Sequence, residues 1–241
     1  MFKLIIIATM MAPGILSMNA QDIAPQVWSN ATIGVPLQDR WTIFNNASYN
    51  MLVSNEFPWR ELSLSSAADF RFHKHFSAIG ALYAGRIKQS GTLSNREVRP
   101  FVGFRVNSNP EERLVVTNLS RQEFRWLIYS DNNNLTGWRF RNRTLLTYAL
   151  NKKSALENKS LNLFAFVEFY KNFNDKLKER FVNDIKYKLG LSFRFSDSWR
   201  FDFGAIYQVA RTNLDEPVQL PTVLTTNYIF EWGMIFFTGR K

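Results

Sequence analysis

Charged side chains recur at alternate positions in several stretches of the sequence, and this spacing places them on one side of an extended chain. Two stretches show it most clearly, with three charged residues each: Arg139, Arg141, Arg143 and Arg121, Glu123, Arg125. Arginine presents several N–H donors in a rigid fork, so it pairs well with carboxylates and other oxyanions. The two ladders therefore indicate either an ion-paired interior or a surface that attracts anions.

Further charged residues occupy equivalent alternate positions in neighbouring stretches. We expect them to share one face with the two ladders: Arg99, Arg105, Glu168, Lys186, Lys188, Arg194, Arg200, Asp202 and Glu231. Additional carboxylates are available as partners at Glu61, Asp69, Glu97 and Asp184. Two interpretations remain open: these groups simply fill a narrow interior by mutual pairing, or the surplus of cations forms a pathway or pocket selective for anions.

The sequence offers little else for catalysis or metal binding. It contains no cysteine, and its two histidines, His73 and His75, flank Lys74 in a predicted tight turn. A serine hydrolase needs a histidine base beside its nucleophile, and no phosphate-binding loop, zinc motif or dinucleotide fingerprint is present. We therefore predict no catalytic site, no metal site and no cofactor.

The N-terminal residues have the layout of an export signal. Met1 to Lys3 form a short basic start, residues 4–11 are apolar, and small and polar residues follow up to Ala20. We predict that residues 1–20 are a cleaved signal peptide and that residues 21–241 form one domain.

The rest of the chain alternates apolar and polar residues with period two, which is typical of strands whose two faces meet different environments. Aromatic residues make up 15% of the chain and are frequent on the apolar faces. The predicted strands cover 27–35, 40–52, 61–72, 76–89, 96–108, 113–129, 138–150, 160–172, 181–195, 199–211 and 223–237. Many of them are long enough to cross a membrane when tilted.

The pattern favours a single antiparallel transmembrane β-barrel, with apolar faces toward lipid and charged faces toward the lumen. Short connections alternate with longer polar ones at 55–59, 90–95, 130–137, 172–178 and 212–221. One connection, 151–159, is longer than its place in this alternation predicts.

The expected strand number is ten to twelve. Counting back from a periplasmic C-terminus leaves ten strands between residues 40 and 237. The segment 27–35 is either a further strand with an unrecognised partner, which gives twelve, or a short lumenal or periplasmic segment.

Two five-residue strings look like one turn used twice. Residues 37–41 and 195–199 each place an aspartate two positions before a tryptophan. Aspartate favours tight turns by bonding to its own backbone, and the tryptophan then opens the next strand where an interfacial aromatic belt would lie.

These features together resemble the outer-membrane barrel family of Gram-negative bacteria known as domain of unknown function 2490. The resemblance rests on Trp28, the turn at Asp39 to Trp41, the arginine-rich strand at 138–143, and the final strand rich in Tyr and Phe. It covers residues 21–241. It implies a barrel and an outer-membrane location, and it implies no reaction and no catalytic residues.

Lysine and arginine outnumber aspartate and glutamate by 30 to 20, but these charges are spread along alternating strand positions, which disfavours nucleic-acid binding. We expect a monomeric outer-membrane barrel with a charged lumen and a structural role, or a role in the binding or passage of small anionic solutes. Its expected partners are outer-membrane lipid and the barrel-insertion machinery. Two alternatives remain: an outer-membrane lipid-modifying enzyme, which would be an acyl hydrolase or transferase, and a soluble lipocalin-like carrier.

Overall fold

The computed structural model describes residues 25–37, 39–53, 59–88, 94–130, 134–173, 179–213 and 224–238. The predicted signal peptide lies outside these residues. The described part of the chain forms one closed barrel of eleven strands: β1 (Gln26–Pro36), β2 (Trp41–Leu52), β3 (Arg60–His73), β4 (Phe76–Lys88), β5 (Asn95–Asn107), β6 (Leu114–Tyr129), β7 (Asn134–Ala149), β8 (Ser160–Asn172), β9 (Glu179–Arg194), β10 (Trp199–Asn213) and β11 (Leu224–Phe237).

The alternation in the sequence becomes an inside and an outside of the barrel. Apolar side chains point outward and are open to the surroundings, for example Leu64 at 62%, Val102 at 66% and Phe230 at 65% exposure. Charged side chains point inward, and Glu123 is fully buried. The predicted all-β barrel with an apolar outer face is therefore confirmed. Within the described residues, no helix is long and apolar enough to cross a membrane.

The closure of the barrel differs from the prediction. Consecutive strands pair antiparallel, but β1 pairs with β11 in parallel, with Trp28 opposite Glu231 and Gly34 opposite Phe237. The segment predicted at 27–35 is thus a full strand whose second partner is the last strand. The eleven strands lie within the predicted range of ten to twelve. The assumption of an even number was wrong, because it required an antiparallel closure.

The two ends of the barrel differ in their connections. At one end, here called the turn end, the chain passes from β1 to β2, β3 to β4, β5 to β6, β7 to β8 and β9 to β10, and most of these turns are short. The opposite end, here called the loop end, carries the other connections. Strand β7 begins at Asn134 instead of residue 138, because residues 134–137 continue the ladder with β6, with Leu135 opposite Leu127.

The long connection between β7 and β8 is an ordered loop that bridges two neighbouring turns. Ser154 donates a hydrogen bond to the carbonyl oxygen of Pro110 in the β5–β6 turn, at 3.1 Å. Asn158 donates to the carboxylate of Asp197 in the β9–β10 turn, at 3.2 Å. These contacts explain why this connection is longer than the other turns at the same end.

The two similar turns share one geometry. The N–H of Leu37 donates to the carbonyl of Trp41 at 3.0 Å, and Phe195 donates in the same way to Trp199 at 2.9 Å. Each tryptophan ring then contacts a phenylalanine of the neighbouring strand, Phe70 at 4.7 Å and Phe236 at 4.6 Å between ring centres.

The predicted role of aspartate in these turns was wrong for the second one. Ser196 Oγ accepts from the backbone N–H groups of Ser198 and Trp199. The Asp197 carboxylate faces Arg194 and Asn158 instead of its own backbone.

Candidate functional site in the barrel lumen

The charged residues singled out from the sequence all lie on the lumen face of the barrel, because they occupy the inward positions of β3 and of β5 to β11. They form two zones. One zone, here called the central belt, crosses the middle of the lumen toward the loop end and is almost completely buried. The other, here called the turn-side vestibule, lies nearer the turn end and is more accessible.

The central belt begins on β5 and β6 around Glu97. The guanidinium of Arg99 donates two hydrogen bonds to the Glu97 carboxylate, at 2.9 and 2.6 Å. Arg125 donates a third at 2.6 Å. Arg125 is exposed by 1%, so two arginines share one carboxylate away from solvent.

Glu123 is the centre of the belt. Arg139 on the neighbouring strand donates to one of its oxygens from both Nε and Nη2, at 2.7 and 2.6 Å. The other oxygen accepts from Arg141 at 3.1 Å and lies 2.8 Å from Nε of Arg121. One buried carboxylate therefore holds three guanidinium groups contributed by β6 and β7.

Arg141 extends the belt to β8. Its Nη2 donates to Oε1 of Glu168 at 2.7 Å and to the hydroxyl oxygen of Tyr170 at 3.0 Å. The Tyr170 hydroxyl in turn donates to the second Glu168 oxygen at 2.5 Å. Arg141 is thus a bridge between Glu123 and Glu168, and the network runs continuously across four strands.

The belt crosses the lumen through Lys186 of β9. Its ammonium group lies 4.4 Å from the centre of the Trp28 ring on β1 and 5.5 Å from that of Tyr170. Such positions over aromatic faces attract a cation electrostatically. Trp28 donates to the side-chain oxygen of Gln26 at 2.9 Å, which fixes the ring.

The remaining strands complete the belt on the other side. The Arg99 guanidinium lies 4.3 Å from the centre of the Tyr83 ring on β4. The Tyr83 hydroxyl donates to Glu61 of β3 at 2.5 Å, and Asn50 of β2 donates to the same carboxylate at 3.3 Å. Because Asn50 lies directly opposite Trp28, the belt closes on itself.

The turn-side vestibule holds separate ion pairs. Arg105 of β5 pairs with Asp69 of β3. Lys188 donates to Glu231 at 2.8 Å, and Asn30 donates to the other oxygen of Glu231 at 2.8 Å.

Near the turns, the Asp202 carboxylate accepts from Arg200 at 3.0 Å and from Ser192 at 2.6 Å. Arg194 lies 3.7 Å from Asp197. The side chains of Arg105 and Arg200 are exposed by 29% and 39%, so they are the more accessible cations of the vestibule.

Two cations of the lumen differ from the others. Within the part of the chain that the structure describes, no carboxylate lies within ion-pair distance of Arg143 or Lys186. The Arg143 guanidinium instead lies 5.5 Å from the centre of the Phe166 ring. Glu168, which already accepts from Arg141, lies directly opposite both of them on the neighbouring strands, so one carboxylate charge is shared among three cations.

Several lumen residues were not identified from the sequence. Tyr83, Tyr170 and Trp28 lie on the polar face of their strands, where each contacts a cation of the belt. An aromatic residue that falls on the charged side of an alternating pattern is the signal that could have found them. Asn50 carries no such signal, because its role depends on the register with β1 and β3.

The two histidines lie at the turn end, away from the central belt. Their rings are 5.5 Å apart, and Nδ1 of His75 lies 3.0 Å from the carbonyl oxygen of Asn107. Among the described residues, no group of three or more His, Asp or Glu side chains is arranged to hold a metal ion.

Comparisons with known proteins agree with this architecture. A solved structure titled "NanC porin structure in rhombohedral crystal form" superimposes with a TM-score of 0.53 at 10% sequence identity, covering 88% of this chain and 97% of that one. This likeness concerns the fold alone. A search of curated proteins finds no match. The family described as "Protein of unknown function (DUF2490)" matches residues 25–217, and the chain therefore belongs to the DUF2490 family.

Proposed function

We propose that the protein is an outer-membrane β-barrel whose cation-rich lumen binds small anionic solutes and lets them pass. The observation that carries this proposal is the surplus of positive charge in the lumen, above all at Arg143 and Lys186. A cation without a carboxylate partner in an enclosed space attracts an anion strongly, because the low dielectric of the surroundings weakens screening.

The membrane location is supported by the outer surface. Large apolar side chains are exposed on nearly every strand, including Leu62, Phe203 and Trp232. A soluble monomer rarely exposes a continuous apolar surface of this extent, whereas a lipid-facing barrel needs one. The likeness to a porin fold points in the same direction.

The proposed orientation places the turn end in the periplasm and the loop end outside, because bacterial barrels have short periplasmic turns and longer outer loops. The vestibule then opens to the periplasm. The partners are membrane lipid and the machinery that inserts barrels, since strands with unpaired backbone groups cannot enter a bilayer singly. The barrel acts as a monomer.

The central belt sets the selectivity of passage. Its residues are packed closely enough to exclude water from Glu97, Glu123 and Arg125. A solute therefore passes only by exchanging contacts with the belt cations, and an anion can replace a carboxylate at an arginine fork. A neutral or cationic solute gains no favourable electrostatic contact with the belt cations in that exchange.

The test is ion selectivity in planar bilayers under a salt gradient. The reversal potential of the wild-type barrel should report anion selectivity, and Arg143→Gln should reduce it. Lys171→Gln is the matched control, because Lys171 is an exposed cation on the outer face of β8. Cation selectivity, no conductance, or an equal effect of both variants would overturn the proposal.

A further inference from the structure

Four cations form a patch on the outer surface of the barrel, at the loop end of β3, β4 and β5. The patch, here called the loop-end basic patch, consists of Arg60, Arg86, Lys88 and Arg96, all exposed. Their strand neighbours Glu61, Ile87 and Glu97 point into the lumen, so the four cations point away from it.

The register of the sheet brings these cations together in like-charged pairs. Arg60 lies directly opposite Lys88, and Arg86 lies directly opposite Arg96. Like charges in directly opposite positions destabilise a sheet. In the described residues, none of the four has a hydrogen bond or ion pair of its side chain. Within the described residues, the patch therefore lacks the counter-charge that its geometry requires.

A cavity adjoins the patch. An open cavity of about 280 Å³ lies between β4, β5 and β6 at the loop end, and Arg86, Arg96, Ile128 and Ser130 contribute to its lining. The cavity offers space for a compact group beside Arg86 and Arg96, which both contribute to its lining. Arginine forks match the geometry of phosphate oxygens.

The surroundings of the patch indicate where such a group comes from. One step further along the strands toward the middle of the barrel, the outer face turns apolar, with Leu62 exposed by 58%. Tyr49 and Trp126 lie beside Leu62 and Val98 on the neighbouring strands. Aromatic residues of this kind mark the membrane interface. The basic patch thus begins where the apolar surface ends.

We propose that the loop-end basic patch binds the phosphate groups of a lipid headgroup, with the acyl chains of that lipid lying against the apolar surface below. This inference rests on the membrane location proposed above. A basic cluster at the edge of an apolar membrane surface attracts anionic lipid, and each cation adds to the attraction. A phosphate also neutralises the two like-charged pairs, for which the described part of the chain provides no counter-charge.

The test measures lipid binding to the full protein extracted in a neutral detergent. Native mass spectrometry of a titration with diphosphoryl lipid A should show binding about tenfold tighter than with the same lipid lacking phosphates. The quadruple variant Arg60→Gln, Arg86→Gln, Lys88→Gln, Arg96→Gln should lose this difference. The control variant Arg40→Gln, Lys74→Gln, Lys153→Gln, Lys171→Gln removes as many exposed cations elsewhere and should keep it.

Both quadruple variants must retain the heat-modifiable gel mobility of a closed barrel. If the patch variant does not, the single variants Arg86→Gln and Arg96→Gln replace it, because these two line the cavity. An equal loss in patch and control variants would overturn the inference. Inorganic phosphate that competes at concentrations equal to those of the lipid would also overturn it, because the site would then recognise phosphate without lipid.

Failure of this inference is distinguishable from failure of the proposed function. A barrel that inserts into phosphatidylcholine vesicles and binds both lipids equally contradicts the patch alone. A protein that is recovered without detergent and does not insert contradicts the membrane location, and the inference with it.

Discussion

The ammonium group of Lys186 on β9 lies 4.4 Å from the ring centre of Trp28 on β1, so the two side chains meet across the lumen. Two positions further along the same strand, Lys188 donates to the carboxylate of Glu231 at 2.8 Å. One buried lysine is thus held by an aromatic face and the next by an opposite charge. Removing each of them should have different consequences.

We expect Lys186→Met to leave the stability of the barrel unchanged or to raise it. The methionine keeps the apolar contact with Trp28, and the variant removes a buried charge whose desolvation is costly. Lys188→Met should instead destabilise the barrel by about 1–3 kcal/mol, because it leaves Glu231 without its cation. Urea unfolding in detergent micelles, followed by the loss of heat-modifiable mobility, compares the two. Equal destabilisation of both variants would contradict the description of Lys186 as a cation without a direct ion pair.

A larger loss of folding stability is expected when Glu123 is replaced. Glu123→Gln removes the charge that holds Arg121, Arg139 and Arg141 in a buried site. Breaking a buried ion pair by removing one partner costs about 3–5 kcal/mol, because the other charge stays buried and uncompensated. The same unfolding measurement applies. Glu112→Gln in the exposed β5–β6 turn is the control and should change stability little.

The strand positions could be predicted well from the sequence because each strand separates two very different environments. On β3, for example, Leu62 and Leu64 alternate with Glu61 and Ser63. This alternation indicates directly which side chains face outward and which face the lumen. The start of β7 was missed because Thr136 and Gly137 read as loop residues. In the structure they extend the ladder with β6, opposite Trp126 and Arg125.

The partners of the charged residues could not be predicted, because they depend on register between strands. Arg141 joins Glu123 to Glu168 only because β6 and β8 lie on either side of β7 at the required offset. The pairing of β1 with β11 could not be predicted from the sequence either. No local feature of residues 26–36 indicates that this segment pairs with a strand more than two hundred positions away.

The lipid-facing role of the outer surface gives a further prediction. Leu64→Arg places a charge on the outer face of β3, at a side chain exposed by 62%. A cation near the middle of the bilayer costs a transmembrane barrel about 2–4 kcal/mol. Folding yield into phosphatidylcholine vesicles, read from heat-modifiable mobility, should therefore fall. Leu37→Arg, in the β1–β2 turn, introduces the same charge outside the apolar surface and should fold normally. Equal yields would contradict lipid contact at Leu64.

The parallel closure can be tested by disulfide trapping, since the chain contains no cysteine of its own. Ala31 of β1 lies directly opposite Met234 of β11, and both point outward. Directly opposite residues of paired strands come close to the separation that a disulfide needs, about 5.5–6 Å between Cα atoms. We expect the double variant Ala31→Cys, Met234→Cys to form a cross-link under mild oxidation. It should give a reductant-sensitive change of mobility in unfolded samples.

The control places one cysteine out of register. In the double variant Ala31→Cys, Tyr228→Cys the second position lies six residues along β11, roughly 20 Å away at the rise of an extended strand. This pair should stay uncrosslinked under the same conditions. A cross-link in the control, or none in the matched pair of a protein that folds normally, would show that β1 does not join β11 in the register described.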